Sequence, residues 1–111
     1  MTPEFDTIVD EQVLLSIDAY SQRAERDVML IRFLNDDDVA LYEPDLFEAF
    51  GNVQVHDEFI QRLQAAIQRL GGEVTIAFMD SEFYETWLGV NDFDDSRELH
   101  ITWARQQLRG L

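Results

Sequence analysis

The sequence predicts an α+β fold: one small domain in which a mainly antiparallel sheet of four to five strands carries two helices packed on one face. Three observations lead there. Apolar residues recur every three or four positions in two stretches, residues 5–24 and 56–70. They alternate with polar ones in three others, around 74–78, 84–90 and 99–103, and clusters of Gly, Asn, Asp and Ser separate the stretches. At 111 residues with 46% apolar content, the chain has room for one core.

The first helix is carried by Phe5, Val9, Val13, Ile17, Tyr20 and Ala24, a single apolar stripe. It begins either at Thr2, with Pro3 in the first turn, or at Thr7, where Asp10 completes a capping box. It ends before Asp27, with Arg23 and Arg26 in the last turn as the macrodipole favours. Residues 28–34 are dense in apolar side chains and suit a strand buried on both faces. Residues 35–38 then read as a polar hairpin turn and 39–42 as the partner strand. Pro44 opens a short helical piece over 45–50, closed by Gly51 and Asn52.

The clearest helix spans 56–70, where Phe59, Ile60, Leu63, Ile67 and Leu70 share a face and Gly71-Gly72 supplies the stop. Three strands are expected after it. Val74, Ile76 and Phe78 alternate in the first, Tyr84, Thr86, Leu88 and Val90 in the second, and Leu99, Ile101 and Trp103 in the third. Asp80-Ser81 is short enough for a tight hairpin, and 91–96 is a longer acidic loop. On such strands Glu82 and Glu85 have opposite parity and fall on different faces, while Trp87 points away from Tyr84, Leu88 and Val90.

Charge is what most narrows the function. Twenty-three acids face eight bases, all arginine, for a net charge of -15. Residues 35–58 hold Asp36, Asp37, Asp38, Glu43, Asp45, Glu48, Asp57 and Glu58 without a base; residues 73–95 hold Glu73, Asp80, Glu82, Glu85, Asp92, Asp94 and Asp95, again without one. The large apolar content marks a folded domain with a charged surface, not an acidic tail. Spread evenly over the roughly 6,000 Å² expected of a 13 kDa protein, the net charge amounts to about one per 400 Å². Duplex DNA carries on the order of one per 100 Å². Imitation of nucleic acid therefore requires the two tracts to share a face. Direct nucleic-acid binding is disfavoured, because such affinity comes chiefly from basic residues that neutralise phosphate. An anionic membrane surface is disfavoured by the same sign.

Catalytic signals are weak. His56 precedes a helix and reads as a cap or surface residue, His100 as a residue on the polar face of a strand, and no nucleophile motif or phosphate loop occurs. Asp92, Asp94, Ser96 and Glu98 stand at alternate positions like the opening of a calcium loop, but Arg97 occupies the required glycine position and Trp103 that of the bidentate glutamate. No enzyme activity, metal or other cofactor is expected. Without cysteine there is neither a disulfide nor a zinc-thiolate site. With no long apolar run and no leader-like amino terminus, the cytoplasm is the expected location. Phe47, Phe50 and Trp87 are either core residues or aromatic anchors inside an acidic rim.

The segment Glu73-Val74-Thr75-Ile76-Ala77-Phe78, the acids after it, and Asp94-Asp95-Ser96-Arg97-Glu98-Leu99-His100-Ile101-Thr102-Trp103 resemble the small acidic double-stranded-DNA-mimic family of proteobacteria. The likeness covers about thirty residues. It implies an ending in which an acidic turn leads into a strand, and an acidic face that competes with duplex DNA for a basic partner.

The leading expectation is an inhibitor or decoy that occludes the nucleic-acid groove of a basic protein, such as a nuclease, a restriction or CRISPR effector, a nucleoid protein or a toxin. Phage anti-defence proteins and immunity proteins both fit. Its contact residues are Asp36, Asp37, Asp38, Glu43, Asp45, Glu48, Asp80, Glu82, Glu85, Trp87, Asp92, Asp94 and Asp95. The alternative is a small acidic adaptor or subunit whose charge, with arginine in place of lysine, reflects adaptation to a salty cytoplasm.

Overall fold

The computed structural model describes residues 3–109; Thr2, one of the two expected starts of the first helix, lies outside them. The described residues form six helices and two strands: α1 (Pro3–Ser21), β1 (Val28–Phe33), α2 (Asp36–Tyr42), α3 (Pro44–Phe50), α4 (Val53–Arg69), β2 (Val74–Met79), α5 (Ser81–Asn91) and α6 (Arg97–Arg109). The expected α+β fold is overturned. The chain is mainly helical, and its only sheet among the described residues is a parallel pair, with Val28 opposite Val74 through Phe33 opposite Met79. Strands β1 and β2, α3 and the longest helices fall where the sequence predicts, but α1 ends at Ser21, so Arg23 and Arg26 lie beyond its last turn. The hairpin strand at 39–42 and the strands at 84–90 and 99–103 are instead parts of α2, α5 and α6.

The physical reason lies at the helix starts. Asn35 does not open a turn; its side-chain oxygen accepts the Asp38 N–H at 2.9 Å and caps α2. Asp36, Asp37 and Asp38 then occupy the first turn, where the helix dipole favours negative charge. Asp80, expected in a tight hairpin, caps α5 by accepting the Glu82 and Phe83 N–H groups at 3.0 and 3.3 Å. Ser96 accepts the Leu99 N–H at the start of α6. Asn52 caps α4 in the same way, Pro44 sits in the first turn of α3, and Gly51, at φ 80°, closes α3 in the left-handed region that favours glycine.

A parallel pair needs a long crossover, and α2, α3 and α4 supply it. The strands then separate two helical layers. Val28, Leu30, Val74 and Ile76 pack into a core with Val9 and Tyr20 of α1, Phe50 of α3, and Phe59, Ile60, Leu63 and Ile67 of α4. The alternate residues, Met29, Ile31, Phe33, Ala77 and Met79, join Val39 and Tyr42 of α2, Tyr84 and Leu88 of α5, and Trp103 and Ala104 of α6. Both faces of the sheet are covered, which explains the continuous apolar runs. Phe50 is fully buried and Phe47 packs against the second core, so neither serves as an exposed anchor. At Gly72 an added Cβ would lie 2.6 Å from Ile67 Cγ2 and 2.7 Å from the Arg26 carbonyl oxygen, so the turn before β2 closes against α4. Among the described residues no helix is long and apolar enough to cross a membrane.

Candidate functional site

The acids of the two layers are treated differently. In the α1/α4 layer Arg62 reaches three carboxylates, Asp6 at 2.6 Å, Asp10 at 2.9 Å and Glu58 at 2.9 Å. Its guanidinium pKa is raised, first by the hydrogen bond to Asp6. Arg32 pairs with Asp57 at 3.1 Å and lies over the Phe78 ring, 4.8 Å from its centroid. Asp57 and Glu58, which end the first acidic tract, are thereby paired, Glu58 sharing its arginine with Asp6 and Asp10.

In the α2/α5/α6 layer the two tracts meet. Tyr42 donates to Glu85 at 2.6 Å, and burial followed by that hydrogen bond raises the phenol pKa. Arg97 pairs with Glu43 at 2.6 Å; burial still pushes the Glu43 carboxyl above the usual carboxylate range, although Arg97 pulls it down. Tyr84 donates to Asp95, which also meets His100 Nε2 at 2.8 Å. The Tyr84 phenol is likewise raised, by burial and then by Asp95. Tyr42, Tyr84 and His100 pack edge to face, with centroids 5.2 to 5.4 Å apart.

The thirteen expected contact residues separate accordingly. Asp38 is only 7% exposed, in the first turn of α2, and is withdrawn from any face. Asp36 accepts the Val53 N–H at 2.8 Å, and Asp80 is occupied as a cap. Glu43, Glu85 and Asp95 tie the elements together through Arg97, Tyr42, Tyr84 and His100. Trp87 is half-buried on α5, stacked on Tyr84 and edge-on to Phe93, with its indole N–H donated to Gln106 at 3.2 Å. It fastens α5 to α6 and does not point away from the helices. Asp37, Asp45, Glu48, Glu82, Asp92 and Asp94 are exposed and have no hydrogen-bond or ion-pair partner among the described residues. On helix α5, Glu82 and Glu85 stand three residues apart and share a face, which strand parity had denied them.

Helical spacing also reveals apolar positions that a strand reading concealed. Phe83 and Val90 are 67% and 80% exposed on α5, at positions i and i+7, with Phe93 45% exposed just beyond the helix. They stand among the free acids Glu82, Asp92 and Asp94.

A cleft of about 520 Å³ opens between the layers along β1. His56 and His100, expected near the surface, are both buried and line it, together with Glu43 and Arg97. His56 packs against Phe33, Phe50 and Phe59, and its Nδ1 has no hydrogen-bond partner among the described residues. Burial lowers its pKa to about 4, so the ring is neutral at pH 7. Among the described residues no group of three or more histidines and acids is placed to hold a metal ion.

No protein-family model matches the sequence, and a search of curated proteins finds no match. The segments that resemble the DNA-mimic family divide between a strand and a helix. Residues 74–78 belong to β2, whereas 97–103 lie in α6 and not in the strand that the resemblance implies.

Proposed function

We propose that this chain is a non-catalytic binding protein whose α2/α5/α6 layer presents an acidic face to a basic nucleic-acid-binding protein and occupies its nucleic-acid groove. The observation that carries the reading is the contrast in pairing. Arginine pairs with Asp6, Asp10, Asp57 and Glu58 in the α1/α4 layer, while on and beside α2, α3 and α5 the exposed Asp37, Asp45, Glu48, Glu82, Asp92 and Asp94 have no arginine partner among the described residues. The Tyr42–Glu85 and Arg97–Glu43 contacts bring the two acid-rich tracts together. Carboxylates three residues apart on a helix have Cβ atoms about 5–6 Å apart, inside the roughly 8 Å screening length at physiological salt, so their fields add. Such a field accelerates encounter with a basic groove. Phe83 and Val90, exposed beside these acids, supply short-range contact area. The reading puts the protein in the cytoplasm with its partner.

The test is capture from a native lysate on the immobilised protein at low salt, followed by elution with excess duplex DNA. A basic nucleic-acid-binding protein released both by duplex and by raised salt is the expected result. The Glu82→Lys/Asp94→Lys double variant should retain much less of it. A captured protein indifferent to duplex and to salt would overturn the reading.

A further inference from the structure

The sheet has an unused edge. The Val28 N–H donates to the Glu73 carbonyl at 2.8 Å, so in this parallel register the even residues of β1 turn their backbone groups toward β2. The N–H and C=O groups of Met29 and Ile31 therefore point the other way, and among the described residues they have no partner. Backbone groups in an apolar setting are ordinarily paired. These two residues form the floor of the 520 Å³ cleft, with Gln12 and Ser16 of α1 on one wall and Arg97 and Ile101 of α6 on the other.

We infer that the cleft is a docking site for an extended peptide segment of a partner protein, which adds a strand to the free edge of β1. Two unpaired residues in a row of alternating ones serve a segment of three to five residues, about 10–17 Å long. The walls are mixed, with apolar surface from Leu30, Leu63 and Ile101, and they accept an apolar side chain on either face of the incoming strand. At the cleft Glu43 is already paired with Arg97, whereas Asp45 has no partner among the described residues, so the complementary segment carries a basic residue for Asp45. A second copy of the chain does not fit this description. It bears the same charge of -15, and an edge recessed between two helices cannot come within the ~4.8 Å of another such edge that pairing needs. The site shares Asp45 with the exposed acids but is separate from those of α5, and its strand-pairing test is independent of the acidic-face reading.

The probe is the pentapeptide acetyl-Thr-Val-Ile-Val-Arg-amide, titrated into the isotopically labelled protein while amide shifts and hydrogen exchange are followed. Two twins carry N-methyl groups, one on the two valine nitrogens and one on the isoleucine and arginine nitrogens. Alternate N–H groups of a strand face opposite sides, so one twin should lose at least tenfold in affinity while the other binds like the parent. The parent peptide should slow exchange at Met29 and Ile31. The variant Ser16→Trp, which fills the cleft from α1, should lose the peptide at unchanged melting temperature, and Glu82→Gln should keep it. Equal binding of both twins, shifts confined to α5, or no shift at Met29 and Ile31 up to millimolar peptide would each overturn the inference. The twins are compared on the unaltered protein, so the outcome stands even if Ser16→Trp does not fold.

Discussion

The two helical layers join their elements to carboxylates through different donors. Between α1 and α4, carboxylates converge on Arg62 and Arg32, and their charge helps hold the helices together. Between α2, α5 and α6, the polar contacts that join the elements run mainly through phenols and a histidine, Tyr42–Glu85, Tyr84–Asp95 and His100–Asp95, with Arg97–Glu43 the one arginine pair among the described residues. A tyrosine hydroxyl satisfies a carboxylate without cancelling its charge. The second layer is thus bonded and still strongly negative. Net charge alone does not describe this chain; the choice of donor decides where the charge remains.

The largest test of this contrast is at the seam. His56 touches Phe33 of one core and Phe50 and Phe59 of the other, and its depressed pKa ties stability to pH. Above pH 6.5 neither folded nor unfolded chain protonates it. As pH falls from about 6.5 to 4, the unfolded chain takes up a proton that the folded one refuses, which costs the fold up to about 3 kcal/mol. Below pH 4 the loss stops growing. Glu43, with its raised pKa, works in the opposite direction, since the folded state takes its proton first as the pH falls. Urea titrations at pH 7, 5.5 and 4.5 should show the loss in the natural sequence, and His56→Leu should remove most of the slope. A slope unchanged in that variant would assign the effect to carboxylates.

A smaller effect is expected from Arg62→Met. Three carboxylates would be left facing one another, at a cost of about 1–2 kcal/mol in dilute buffer that shrinks in 1 M NaCl as screening takes over. If salt does not narrow the gap, lost packing of the arginine stem is the cause.

The smallest effect should have the opposite sign. Neutralising Asp92 and Asp94 together as amides should leave stability within about 0.5 kcal/mol or raise it slightly, because these groups repel, lie outside the first turns of the helices and have no side-chain partner among the described residues. A loss above 1 kcal/mol would mean that the second layer uses its acids structurally, as the first does.

What the sequence disclosed follows from how each element announces itself. Helix α4 was legible because Phe59, Ile60, Leu63 and Ile67 recur at helical spacing between Asn52 and Gly71. Strand β1 was legible from its dense apolar run and β2 from the alternation of Val74, Ile76 and Phe78. Helices α2, α5 and α6 were not, because Asn, Asp and Ser favour turns and helix caps for the same reason, a short side chain that bonds to nearby backbone. Asn35, Asp80 and Ser96 are all caps. Tyr84, Leu88 and Val90 also lie at even spacing, which fits a strand as well as two turns of α5. A strand over α5 parts Glu82 from Glu85, turns Trp87 outward and hides Phe83. The convergence of the two acidic tracts was foreseen as a requirement only, since the Tyr42–Glu85 contact joins residues 43 apart in the chain. The buried places of His56 and His100 had no local signal.

The crossover between the strands also sets the order of events during folding. Val28 meets Val74, 46 positions later, and every rung of the ribbon spans the same separation. Closing so long a loop is entropically unfavourable unless the intervening segment has already been shortened by helix formation. We expect α4 to dock on α1 in the transition state and the ribbon to form afterwards. Leu63→Ala should then slow folding, whereas Ile76→Val should mainly speed unfolding. In that sequence the cleft along β1 is the last feature of the molecule to appear, and it exists only in chains that have finished folding.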